Sequence, residues 1–216
     1  ITLIGLKEHN EALKNLEMSA KLNPYHASTH NAIARMERMN KNIIPSVLSM
    51  SMFFVAEPQG SRALQNIEFY YNTMNSGVEK TGRNSITINV DSKTLDDIEE
   101  NSVKENDFSS AELIFMLSAA LNNEKEIKKL GKASSLQIRL ESFFSSLSET
   151  KKENYGFYWE YYVPFFLEMK EKKHLGTFCY ILHASENDKK INKWLKNNND
   201  EVKAFYKWSD TYWEYQ

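Results

Sequence analysis

The chain contains a single cysteine, Cys179, which removes an internal disulfide framework and a multi-cysteine metal site from consideration without fixing the compartment. Glycine is scarce, with seven in 216 residues, and no glycine-rich phosphate loop, HExxH or GxSxG pattern occurs. A nucleotide-binding loop is therefore not expected. No apolar run approaches the ~18 residues needed to span a bilayer. Charge of one sign is also missing. With 27 basic and 29 acidic side chains and a net charge of -2, nothing would steer nucleic acid or an anionic membrane, and nucleic-acid binding is not supported. What the chain does have is aromatic residues, 12% against 41% hydrophobic overall, so its core must rest on Phe, Tyr, Trp and Met. It is long enough for one large helical domain or two small ones.

Pro24 and Pro58 lie 34 residues apart, and each closes a segment with apolar residues at helical spacing: EALKNLEMSAKLNP from Glu11, and IPSVLSMSMFFVAEP from Ile44. Two helical hairpins are predicted over this stretch. SRALQNIEFYYNTM, Ser61 to Met74, falls one further period on and reads as a half-repeat or capping helix.

In this spacing the chain resembles tetratricopeptide-repeat proteins, whose helix-turn-helix unit is 34 residues long. The family places small residues where paired helices cross, and Ala12, Ser19, Ala34 and Ser46 occupy those places; Ile33 fits the leucine-like core position. Against the pattern, His30 and Glu37 stand where large aromatics are usual, and Phe53 where alanine is preferred. Counting back from Pro24 puts Ile1 in the middle of a first helix, which makes the first repeat truncated and the chain a piece of a longer protein. Localisation stays open.

The resemblance implies a groove lined by the first helix of each pair, receiving a peptide or a partner's helix. Carried onto this sequence, the groove-facing places are Ser28, Asn31, Arg35 and Arg38, then Arg62, Gln65 and Phe69. Asn31, Arg35 and Arg38 share a helical face by their spacing, and arginines beside an asparagine can hold a carboxylate through forked hydrogen bonds.

From Ser76 the character changes. SGVEKTGRN is turn-rich, SITINV (Ser85 to Val90) alternates like a short strand without an obvious partner, and Asp91 to Asp107 carries seven carboxylates against two lysines. Residues 75–107 are read as a polar acidic linker, its charge run a solvated turn without the register of a calcium loop. The neighbouring pairs Asp96/Asp97 and Glu99/Glu100 point to different sides and fall outside any cleft-lining element, which argues against a glycosidase.

Helices resume over 108–216. Ser109 and Glu112 have capping-box spacing before ELIFMLSAAL. Leu136, Leu140, Phe143, Phe144 and Leu147 form one stripe, and Phe157, Tyr158, Tyr161, Tyr162, Phe165, Phe166 and Met169 a broad arc in which Pro164 must kink a helix or start one. Cys179 and His183 share a face at i,i+4, but with no further ligand or orienting carboxylate in the pattern they read as a buried cysteine beside an edge histidine. Trp213 and Tyr215, at the terminus, are candidates for an exposed patch.

The expectation is an all-α protein: tetratricopeptide-like hairpins (an α-α superhelix) over 1–74, the linker, and a C-terminal helical bundle. Its expected role is a non-enzymatic scaffold or adaptor that binds another protein or peptide through the groove, with no metal or cofactor. The competing class is a ligand-binding module or enzyme with a pocket in the aromatic half; self-association is a third possibility.

Overall fold

The computed structural model describes residues 8–82, 85–100, 104–121, 127, 129–151 and 154–215. Ile1, on which the truncated-repeat expectation turns, lies outside them. The chain is mostly helical, as expected for the all-α class. Its order is α1 (His9–Leu22), α2 (Ala27–Met39), α3 (Ile43–Ala56), α4 (Ser61–Met74), β1 (Val78–Lys80), β2 (Ile86–Ile88), α5 (Ser92–Glu100), α6 (Ser109–Leu121), α7 (Lys132–Thr150), a π-helical turn (Tyr158–Tyr162), α8 (Val163–Glu171), α9 (Leu175–Leu182), α10 (Lys189–Asn197) and α11 (Asn199–Glu214).

The predicted helix over Ile44 to Pro58 becomes the axle of the molecule. Every residue from Ile43 to Val55 is buried, because helices pack against α3 on all sides: α2 and α4 from the N-terminal part, and α6, the π turn and α9 from the C-terminal part. A helix that is apolar all round must be enclosed in this way. Its serines satisfy themselves within the core, Ser49 and Ser51 by donating to carbonyls four residues back at 2.8 Å, and Ser46 by donating to the Ala34 carbonyl at 2.7 Å. Two of the small residues expected at helix crossings thus meet, Ala34 with Ser46. Ser19 meets Thr29 across α1 and α2, their hydroxyls 2.8 Å apart. One contiguous core runs from Ala12 to Tyr212.

Three local expectations change. The strand at Ser85 to Val90 does find a partner: β2 pairs antiparallel with β1, Thr87 opposite Glu79, and the hairpin rests on α6. Gly77 closes it at φ +76°, where a Cβ would lie 2.8 Å from the Asn89 carbonyl oxygen. The acidic run is not a solvated turn over its whole length, since Ser92–Glu100 is helical and packs on α6, directing Asp97 inward. The capping box at Ser109 is absent. Asp107 Oδ1 instead accepts from the Ser109 amide at 2.9 Å and its hydroxyl at 2.7 Å, taking the role two residues earlier and leaving Glu112 to face a cleft.

The aromatic arc is core. Tyr158, Trp159, Tyr162, Phe165 and Phe166 are all buried. Pro164 starts a helix, one of the two expected outcomes: it stands in the first turn of α8, where its missing N–H is tolerated, and the preceding turn widens so that the Val163 amide reaches back to the Tyr158 carbonyl. Trp213 is absorbed as well, stacked on Phe165 with ring centroids 5.2 Å apart, so only Tyr215 of the expected terminal patch is exposed.

Candidate functional site

The predicted groove residues lie on α2 and α4, and the structure brings five of the seven together. Arg62 donates through Nη1 to the Ser28 hydroxyl at 2.8 Å, and the Arg35 guanidinium lies over the Phe69 ring at 4.8 Å. Both contacts join residues 34 apart, the spacing of Pro24 and Pro58. Arg35 also donates to Asn31 Oδ1 at 3.1 Å and to Asn66 Oδ1 at 2.8 Å, which orients the buried Asn66 amide and leaves its Nδ2 without an acceptor among the described residues. Arg62 is neutralised by an ion pair with Glu57 and sits over Phe53, 5.5 Å from the ring centroid. Gln65 is exposed and Arg38 half-buried; neither side chain has a polar partner among the described residues. The cationic charge of this face that is not matched by a carboxylate therefore comes from Arg35 and Arg38.

The opposite face of α2 explains the departures from the repeat pattern. His30 and Glu37, two turns apart, are buried and reach the two tyrosines that flank the π turn: His30 Nδ1 lies 2.7 Å from the Tyr162 hydroxyl, and Glu37 Oε1 accepts from the Tyr158 hydroxyl. Asn42 donates to the second Glu37 oxygen. Glu37 borders a polar cleft of about 520 Å³ between α1, the α2–α3 turn, α5 and α6. Burial, then the neighbouring Glu37 and Glu105 carboxylates, raise Glu17 in this cleft to about 6. Burial and Asp91 raise Glu112 to about 7. Burial also raises Glu37, against the hydrogen bonds from Tyr158, Asn42 and Asn40. The cleft is thus a place where protons are held at near-neutral pH. Sequence reasoning missed it, although Glu37 falling on the buried stripe of Ile33 and Ala34 is a signal that something polar must face it.

A second cavity, of about 540 Å³, lies where α7 and α10 begin, lined by Lys132, Lys189, Lys190, Asp188 and the stacked pair Tyr180 and Trp194. The Cys179 thiol is buried, and burial pushes it far above its usual value, which favours the protonated form over the reactive thiolate. Its neighbour His183 is not an edge residue. It is fully buried, with Nδ1 2.6 Å from Glu186 and Nε2 3.0 Å from the Tyr71 hydroxyl. Glu186 is the orienting carboxylate absent from the sequence pattern. The order phenol, imidazole, carboxylate matches a nucleophile, base and orienter, but burial holds the Tyr71 phenol well above its usual value, and neither Tyr71 nor His183 lines either cavity.

Among the described residues no group of three or more His, Cys, Asp or Glu is arranged to hold a metal ion, and no helix is long and apolar enough to cross a membrane. No family model matches the chain, and no curated protein or solved structure is significantly similar to it.

Proposed function

We propose that the chain is a tetratricopeptide-like interaction scaffold that receives an extended, carboxylate-bearing segment of another protein along the α2 and α4 face. The observation that carries this reading is the pair of contacts at one repeat length, Ser28 with Arg62 and Arg35 with Phe69, which makes the first helices of successive units one continuous surface. Arg35 and Arg38 supply forked donors, and Arg35 is already oriented by Asn31 and Asn66. Phe69 gives the ledge an apolar floor. The aromatic half offers less to a ligand, because its rings pack on one another in the core.

A photo-cross-linking side chain at the exposed Gln65 tests this in extract from the source cells. A discrete adduct that disappears in Arg35→Ala/Arg38→Ala, while persisting with a Lys207→Ala control, is the expected result. An adduct indifferent to the arginines moves the interface off this face.

A further inference from the structure

The N-terminal helices are joined to the C-terminal half by two histidine–tyrosine pairs of opposite polarity. In one, His30 on α2 meets Tyr162 of the π turn at 2.7 Å; in the other, Tyr71 on α4 meets His183 at the end of α9 at 3.0 Å. Each imidazole has one nitrogen facing an oxygen that can only accept. For His30 this is Nε2, 2.8 Å from the Pro24 carbonyl; for His183 it is Nδ1, 2.6 Å from the Glu186 carboxylate. That nitrogen must carry the hydrogen. In the neutral ring the other nitrogen then offers a lone pair, and the tyrosine O–H donates to it. Both histidines are 0% exposed, so water cannot substitute for a lost partner.

We propose that these two pairs form an acid-sensitive seam: proton uptake by His30 and His183 turns both receiving nitrogens into donors, reverses the two hydrogen bonds so that each tyrosine O–H loses its acceptor, and loosens α2 and α4 from the C-terminal half while the helices persist. The charged surroundings set where this happens. Glu186, itself paired with Lys132 at 2.7 Å, and Asp188 favour a proton on His183, Lys132 opposes it, and burial outweighs them all and lowers its pKa. Arg139 acts on the Tyr71 side. His30 is held at about 4 by burial, with His26 adding to the depression and the Pro24 carbonyl resisting it. The Tyr162 side of that pair also feels Glu17 and Glu37. The seam is closed at neutral pH. For His30, a closed value of about 4 against 6.5 when freed implies a roughly 40-fold rise in the opening constant between pH 6.5 and 4.5.

The test is amide hydrogen exchange of the whole chain between pH 6.5 and 4.5, corrected for the intrinsic pH dependence, with histidine NMR titration and far-UV circular dichroism alongside. The expected result is that both histidines titrate below their ordinary 6.5, that protection in α2 and α4 falls at least tenfold between pH 6.5 and 4.5, and that helicity is unchanged. His30→Gln/His183→Gln, neutral at every pH, should flatten the profile. An identical pH response in that variant, or histidines titrating near 6.5 without any change in exchange, overturns the seam. If the double variant does not fold, wild type still decides: protection in α2 and α4 that stays flat or rises between pH 6.5 and 4.5 is equally fatal. The raised carboxylates of the cleft cannot imitate the effect, because their contribution to stability runs with pH in the opposite sense.

Discussion

The inner and outer faces of α2 carry similar polar side chains and use them in opposite ways. Outward, Ser28 and Arg35 reach to α4, Asn31 holds Arg35, and guanidinium groups are left accessible. Inward, His30 and Glu37 are sealed, each bound to one tyrosine of a distant segment. The outer set is the more forgiving, because water can reach its members, the buried Asn66 partner of Arg35 excepted. The inner set is not, because an unmet buried donor or acceptor costs its full desolvation. Polar residues on a helix's apolar stripe therefore mark where a further element docks, while polar residues on its wet side mark where the molecule can still bind something else.

Breaking the inner face should show the largest effect. His30→Ala removes a buried ring and orphans both the Tyr162 hydroxyl and the Pro24 carbonyl, and a loss of about 2–4 kcal/mol is expected by urea unfolding. Tyr158→Phe, which deletes only a hydroxyl, should cost about 1–3 kcal/mol and push the Glu37 carboxyl higher still, because it removes a hydrogen bond that favours the ionised form. The faces can also be separated by pH. Glu17 and Glu112, raised above the unfolded 4.5 to about 6 and about 7, give stability that is complete below pH 4.5 and lost as pH rises through those values. His30, depressed from 6.5 to about 4, gives stability present above 6.5 and lost as pH falls through 4. Glu17→Gln/Glu112→Gln should thus raise stability at pH 7.5 relative to pH 5 by roughly 1 kcal/mol per site after allowance for solvent, whereas an unchanged pH profile would show the cleft to be wetter than its geometry implies. The outer face gives the smallest change. Arg35→Ala should cost about 1 kcal/mol, chiefly because the buried Asn66 oxygen loses its donor, and a loss above about 2 kcal/mol would mean that Arg35 is structural like its inner counterparts.

Most of the helical skeleton was legible in the sequence. Apolar spacing before Pro24 and Pro58 marks α1 and α3, and the unbroken apolar content of α3 implies a helix covered on all sides. The 34-residue offset put Ser28 and Arg35 on one helix and Arg62 and Phe69 on the next, but which of them touch is not written in it. The rest depended on contacts between residues far apart in the chain. Nothing near Ser85 says that β1 will pair with it, and nothing near His30 names Tyr162, 132 residues away. Glu186 is three residues from His183, but without knowing that the turn after α9 folds the carboxylate back onto the ring, it reads as one more surface acid. The cleft was missed for the same reason, since Glu17, Glu37 and Glu112 come from three helices that only the tertiary fold brings to one place.

The enclosure of α3 has a consequence for how the polypeptide may be divided. Its cover comes from α2 and α4 before the 75–107 segment, and from α6, the π turn and α9 after it. A chain severed within that segment would leave one fragment with an uncovered apolar rod and the other with the matching trough, so the two pieces should be insoluble when made separately and reassemble when made together. A break there, as in a split reporter, should therefore be tolerated only when both halves are present together.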